Sequence, residues 1–177
     1  MKRPFVASLV AAGAFAVGGV ALAGTMQFRS HLETNNEVPT PVNVVGTPEG
    51  DLKLKLSPDG MSLRYDLKIT SPITNMFMAH LHAERNANHT GPIVVWLFPS
   101  TAIPPVLPPV IPGQTDGRIA RGVITAANLT GPLAGQWDAF LAELRAGTIY
   151  ANVHTSANPA GEIRDTVHLV LDDEDQD

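Results

Sequence analysis

Strict alternation of apolar and polar residues marks the first half of the chain. In residues 51–56, Leu52, Leu54 and Leu56 alternate with Asp51, Lys53 and Lys55; in residues 61–69, Met61, Leu63, Tyr65, Leu67 and Ile69 alternate with Ser62, Arg64, Asp66 and Lys68. A two-residue period is that of a strand with one buried and one wet face. Ser57-Pro58-Asp59-Gly60 between them has turn chemistry throughout, so the pair is predicted to form a β-hairpin. Residues 26–33, 76–83, 118–125, 148–154 and 163–171 read as further strands. The unbroken apolar run 93–98 predicts a strand buried on both faces. Helical spacing occurs once, in residues 133–146, where Trp137, Phe140, Leu141 and Leu144 make a core stripe and Gly147 follows as a stop. About seven or eight short strands and one short helix predict an all-β antiparallel sandwich.

Two stretches break this pattern. Asn35 to Pro41 is predicted to be irregular and extended because of its prolines and asparagines. Pro104, Pro105, Pro108, Pro109 and Pro112 make 100–117 a surface loop, since proline cannot donate to a ladder. Ile103, Val106, Leu107, Val110 and Ile111 in that loop either pack back on the domain or, across 101–113, meet a protein partner.

The chain begins with Lys2 and Arg3, an apolar run and a small-residue ending at Ala21-Leu22-Ala23. Residues 1–23 are therefore expected to be a signal peptide, followed by one domain over 24–171 and an acidic disordered tail over 172–177. The expected address is outside the cytoplasm, periplasmic or secreted, with no membrane association after cleavage and a monomeric state. Taking Lys2 and Arg3 out of the formal charge of -5 leaves -7, and an acidic surface without a basic patch argues against nucleic acid. The chain has no cysteine, so disulfides, thiolate metal sites and a lipid anchor on cysteine are excluded.

The chemistry gathers in residues 76–89, MFMAHLHAERNANH. If 76–83 is a strand, Met76, Met78, His80 and His82 share one face and Phe77, Ala79, Leu81 and Ala83 the other. Two imidazoles two residues apart on one face can share a metal ion given a third ligand, for which His154 is the best candidate. Met78 and His89 are optional further ligands. Copper is the expected metal, because thioether favours Cu(I) and imidazole accepts copper or zinc; zinc is the alternative. The plainer readings are an exposed polar pair at His80 and His82, and a structural hydrogen-bond set of Tyr150, Asn152 and His154. His31 and His168 have no partner in the sequence. No nucleophile motif, phosphate loop or carboxylate pair is present, so no catalytic residue is assigned.

Glu37-Val38-Pro39, Met78-Ala79-His80-Leu81-His82, Gly91-Pro92-Ile93-Val94-Val95-Trp96-Leu97-Phe98, and Gly147 to Thr155 with Asn158-Pro159-Ala160-Gly161-Glu162-Ile163-Arg164 resemble the CHRD (chordin-type) domain family. Asp165 stands where the family usually has glycine. The resemblance implies an immunoglobulin-like β-sandwich related to Cu,Zn superoxide dismutase, and precedent for acting on secreted proteins. Three readings follow: a metal-binding or metal-handling protein outside the cytoplasm, a secreted protein-interaction module with structural histidines, and a copper-dependent superoxide dismutase-like oxidoreductase. Binding ranks above catalysis, because a dismutase usually needs an electropositive approach and only Arg85 lies near the histidines in sequence.

Overall fold

The computed structural model describes residues 26–100 and 107–170. The expected signal peptide, the first part of the Pro-rich loop and the acidic tail lie outside these residues. Among the described residues nine strands are formed: β1 (Gln27–Glu33), β2 (Glu49–Leu56), β3 (Leu63–Thr74), β4 (Met76–Ala83), β5 (Ile93–Phe98), β6 (Gln114–Ile124), β7 (Ile149–Thr155), β8 (Ile163–Thr166) and β9 (His168–Val170). One α-helix, α1 (Trp137–Ala146), precedes β7. Every strand pairing is antiparallel.

The order is β5-β4-β7-β8-β1-β2-β3-β6, with β9 added to β1. The two halves of this path are joined by one residue pair, Glu33 with Arg164. The chain changes sides there: β8 pairs with β7, and β9 then pairs with β1. Such a switch turns a corner and lets the inner faces of the two halves meet. Phe28, Leu32, Leu52, Leu54, Leu63 and Leu67 of one half pack with Ala79, Leu81, Val95, Leu97, Ala151 and Val153 of the other. The opposite side nearly closes, where the Tyr65 hydroxyl of β3 donates to the Leu97 carbonyl of β5 at 2.9 Å. The expected all-β fold is present.

The hairpin forms in the register its alternation predicts, with Leu52 opposite Leu67 and Leu54 opposite Tyr65. The helix starts four residues later than expected, because Gly131–Leu133 takes a 3-10 turn and Gly135 has φ +70°. Its stripe of Trp137, Phe140, Leu141 and Leu144 is buried as core. Trp137 Nε1 donates to the Gly60 carbonyl at 2.7 Å and ties the helix to the hairpin turn.

Two further expectations are corrected. β5 is not buried on both faces: among the described residues it is an edge strand with β4 as its only sheet neighbour, and Ile93, Trp96 and Phe98 are half-exposed. The strands buried on both faces are β4 and β7. Met76 does not share the histidine face. Met76 pairs with Thr155 and Met78 with His154, so Phe77 is an extra residue in β4. This bulge puts Met76 in the core and leaves Phe77 beside the His154 ring, at a centroid distance of 6.4 Å. In the described part of the Pro-rich loop, Ile111 packs on the core and its N–H bonds Met76 O at 2.8 Å, whereas Leu107 and Val110 are exposed.

Candidate metal centre

Beyond the bulge, β4 and β7 pair residue for residue: Met78 with His154, His80 with Asn152 and His82 with Tyr150. These six side chains share the outer face of the sheet, opposite the apolar core. An outer face is normally wet, yet His80 is 0 % exposed, His154 4 % and His82 8 %. Segments around Gly91, Glu37 and 158–161 cover it, so the molecule contains a small second core made of polar groups.

One ring nitrogen from each of His80, His82 and His154 lies within 4.8 Å of the others. Hydrogen bonds fix their protonation. The Gly91 carbonyl is 2.9 Å from His82 Nδ1 and the Pro159 carbonyl 3.0 Å from His154 Nδ1. A carbonyl only accepts, so both Nδ1 atoms carry the proton and both Nε2 atoms carry a lone pair. His80 Nδ1, 3.0 Å from His154 Nε2, is then the donor of that bond. The Nε2 atoms of His80 and His82 are left buried without a partner.

Burial first, then repulsion from the other two imidazoles, lowers the His80 pKa to about 2. Burial, against the opposing pull of the Gly91 carbonyl and with help from the Arg164 charge, takes His82 to about 4. Burial and His82 take His154 to about 4. All three are neutral ligands at physiological pH.

The supports of these rings are themselves built. Glu162 accepts from Thr155 Oγ1 at 2.5 Å and Asn158 Nδ2 at 2.7 Å, which knots the turn that presents the Pro159 carbonyl. Tyr150 stacks on His82 at 4.8 Å and 9°, and the Arg164 guanidinium lies 3.5 Å over the other partner of that stack, the Tyr150 ring. Trp96 meets His80 edge-on at 4.1 Å. Glu162 and Arg164, adjacent on one strand face in the sequence, do not pair with each other; Arg164 instead bonds the His89 carbonyl and faces Glu84 at 3.7 Å.

The structure brings His80, His82 and His154 together and puts Met78 on their face, opposite His154. It does not bring in His89, which is exposed with Nδ1 3.0 Å from Glu84. Sequence reasoning gave no role to Glu37, buried with Oε2 unpartnered, nor to the orienting carbonyls of Gly91 and Pro159. It also left His31 alone, although the β1–β2 register sets it against Asp51 at 2.8 Å, with Glu33 and Glu49 at 3.7 and 3.9 Å.

The donor set fits a transition metal. Tetrahedral bonds of about 2.0–2.1 Å separate nitrogen ligands by about 3.4 Å, between the 3.0 Å of the His80–His154 bond and the 4.8 Å limit of the set. His80, His82 and His154 would hold such an ion as neutral imidazoles, the proton now shared between His80 Nδ1 and His154 Nε2 moving to the free His80 Nε2.

A pH dependence of folding follows. An unfolded histidine protonates near 6.5, whereas these three stay neutral in the fold to about 4 or below, so unfolding takes up protons and stability falls as pH drops from 6.5 towards 4. Glu37 acts oppositely: burial raises its carboxyl to about 7, so unfolding releases its proton between about 4.5 and 7. Near pH 5 the unfolded chain binds about two more protons than the fold, on the order of 3 kcal/mol per pH unit. Urea denaturation of the metal-free protein should show lower stability at pH 5 than at pH 6.5; equal midpoints would contradict the buried neutral triad.

Fold and site together define a class: an antiparallel β domain carrying a buried imidazole triad on the outer face of its sheet. The family model of the CHRD domain matches residues 28–167, and the chain belongs to that family. No curated protein and no solved structure gives a significant match. The family fits an extracellular domain, and among the described residues no helix is long and apolar enough to cross a membrane.

Proposed function

We propose that this CHRD-domain protein is exported, monomeric, and binds one transition-metal ion through His80, His82 and His154, copper first with zinc as competitor, in metal binding or handling outside the cytoplasm. The observation that carries this reading is the convergence of three buried, neutral imidazoles, two of them with an unpartnered Nε2. Unpaired buried acceptors cost stability, and a cation among the rings would satisfy His82 Nε2 and take the place of the proton between His80 Nδ1 and His154 Nε2, that proton passing to the free His80 Nε2. Met78, opposite His154, is the optional soft ligand. The burial of the three rings favours retention of a metal over turnover at it, so a superoxide dismutase-like activity ranks below binding.

Because the ligands are already neutral, uptake needs no deprotonation of them at pH 7. Calorimetric titration with Cu(II) and Zn(II) should give one site per chain, with affinity nearly unchanged between pH 7.5 and 5.5. A tenfold or greater loss over that range would mean that the ligands titrate as ordinary exposed histidines. The second reading, a protein-interaction module with structural histidines, is favoured by the exposure of Leu107 (65 %) and Val110 (41 %). It predicts that the wild-type protein binds neither metal stoichiometrically.

A further inference from the structure

We infer that Asn152 supplies an oxygen donor that completes this centre, making it a three-nitrogen, one-oxygen site for a divalent transition cation. This rests on the metal reading above and adds a residue to it. Asn152 stands directly opposite His80 on β4 and two residues from His154 on β7, so it lies at the middle of the histidine face. It is 2 % exposed, and its side-chain Oδ1 is buried without a partner.

The direction of that oxygen follows from what lies on the amide's other side. Nδ2 donates to the Ala160 carbonyl at 3.5 Å. The buried Glu37 carboxyl closes on the same spot: a Cβ added to Gly161 would overlap Glu37 Oε2 and lie 2.9 Å from Asn152 Nδ2. Turning the amide over would set Oδ1 against a carbonyl and a carboxyl oxygen, three acceptors with at most one proton among them. Oδ1 therefore faces the histidines, where His82 is within its reach. His82 Nε2 is also a lone pair without a donor, because its proton sits on Nδ1. Two acceptors with no hydrogen between them make a pocket of negative potential that suits a cation. Glu37 is the positioning residue, and Gly161 is the position that admits its carboxyl beside the amide.

An amide oxygen is a hard donor, so the set favours Cu(II) or Zn(II) over Cu(I), and four protein donors make a closed site of the retaining kind. The test compares wild type with Asn152→Ala and Asn152→Asp in Zn(II) competition titrations against a chromophoric chelator, with visible spectra of the Co(II) forms. Asn152→Ala should bind Zn(II) at least tenfold more weakly and shift the Co(II) bands, as water replaces the amide, while Asn152→Asp should bind at least as tightly as wild type. If Asn152→Ala does not fold, water-proton relaxation of wild-type Cu(II) protein decides: no directly bound water supports the closed site, and a bound, exchanging water overturns it. An Asn152→Ala affinity within twofold of wild type with an unchanged Co(II) spectrum also overturns it, leaving the three-histidine site intact. Absence of Zn(II) and Cu(II) binding by wild type instead overturns the metal reading itself.

Discussion

His154→Ala is expected to abolish stoichiometric metal binding, with affinity falling at least about 100-fold, since even the loss of an orienting partner behind a ligand costs 10–100-fold. His154 has the most connections of the three rings. It takes the His80 Nδ1 proton at 3.0 Å, gives its own to the Pro159 carbonyl and lies near both His82 and Phe77. Alanine leaves His80 Nδ1–H without an acceptor and the Pro159 carbonyl without a donor, which should also cost the metal-free fold about 1–3 kcal/mol. The two effects separate experimentally: Zn(II) titration reports the first, and urea denaturation in chelator the second. A variant that keeps wild-type affinity would remove His154 from the site.

Gly91→Ala is expected to destabilise the fold by about 3 kcal/mol, at the upper end of overpacking effects. A Cβ there would overlap the Ala83 carbonyl oxygen and lie 2.9 Å from the Ala83 carbonyl carbon, both main-chain atoms at the end of β4. Neither can swing aside as a flexible side chain does. The displaced segment would carry off the Gly91 carbonyl that receives His82 Nδ1–H and the Gly91 N–H that donates to the Tyr150 hydroxyl at 3.3 Å. Metal affinity should therefore fall together with stability, about 10–100-fold, although Gly91 touches no metal. A change in stability under about 1 kcal/mol would show that the close approach at Gly91 is not needed.

What the sequence made legible was whatever has a local period. The β2–β3 hairpin and the α1 stripe were readable because one face of each is wet and the other dry. His80 and His82 were readable as a pair for the same reason, and Tyr150, Asn152 and His154 as residues of one face. The bulge at Phe77 was not, because one extra residue in β4 leaves no mark in composition, yet it moves Met76 to the core. β5 misled by its unbroken apolar run: its outward residues lean on the sheet edge and the polar layer without being enclosed, as Trp96 does against His80. Burial of Glu37, Asn152 and Arg164 was hidden for another reason. These residue types read as surface wherever they stand, and only the covering by distant segments makes them a core. His31 was a failure of pairing and not of period, since the β1–β2 register brings Asp51 opposite it.

The central claim is that His80, His82 and His154 converge to hold one metal ion, and the most direct test is titration of the purified protein, stripped of metal, with Cu(II) and Zn(II), with elemental analysis of the dialysed product. One equivalent bound by the wild type, and none by a variant with His80, His82 and His154 all replaced by alanine, is the predicted result. Binding of neither ion by the folded wild type, or one equivalent retained by the triple variant, would contradict it.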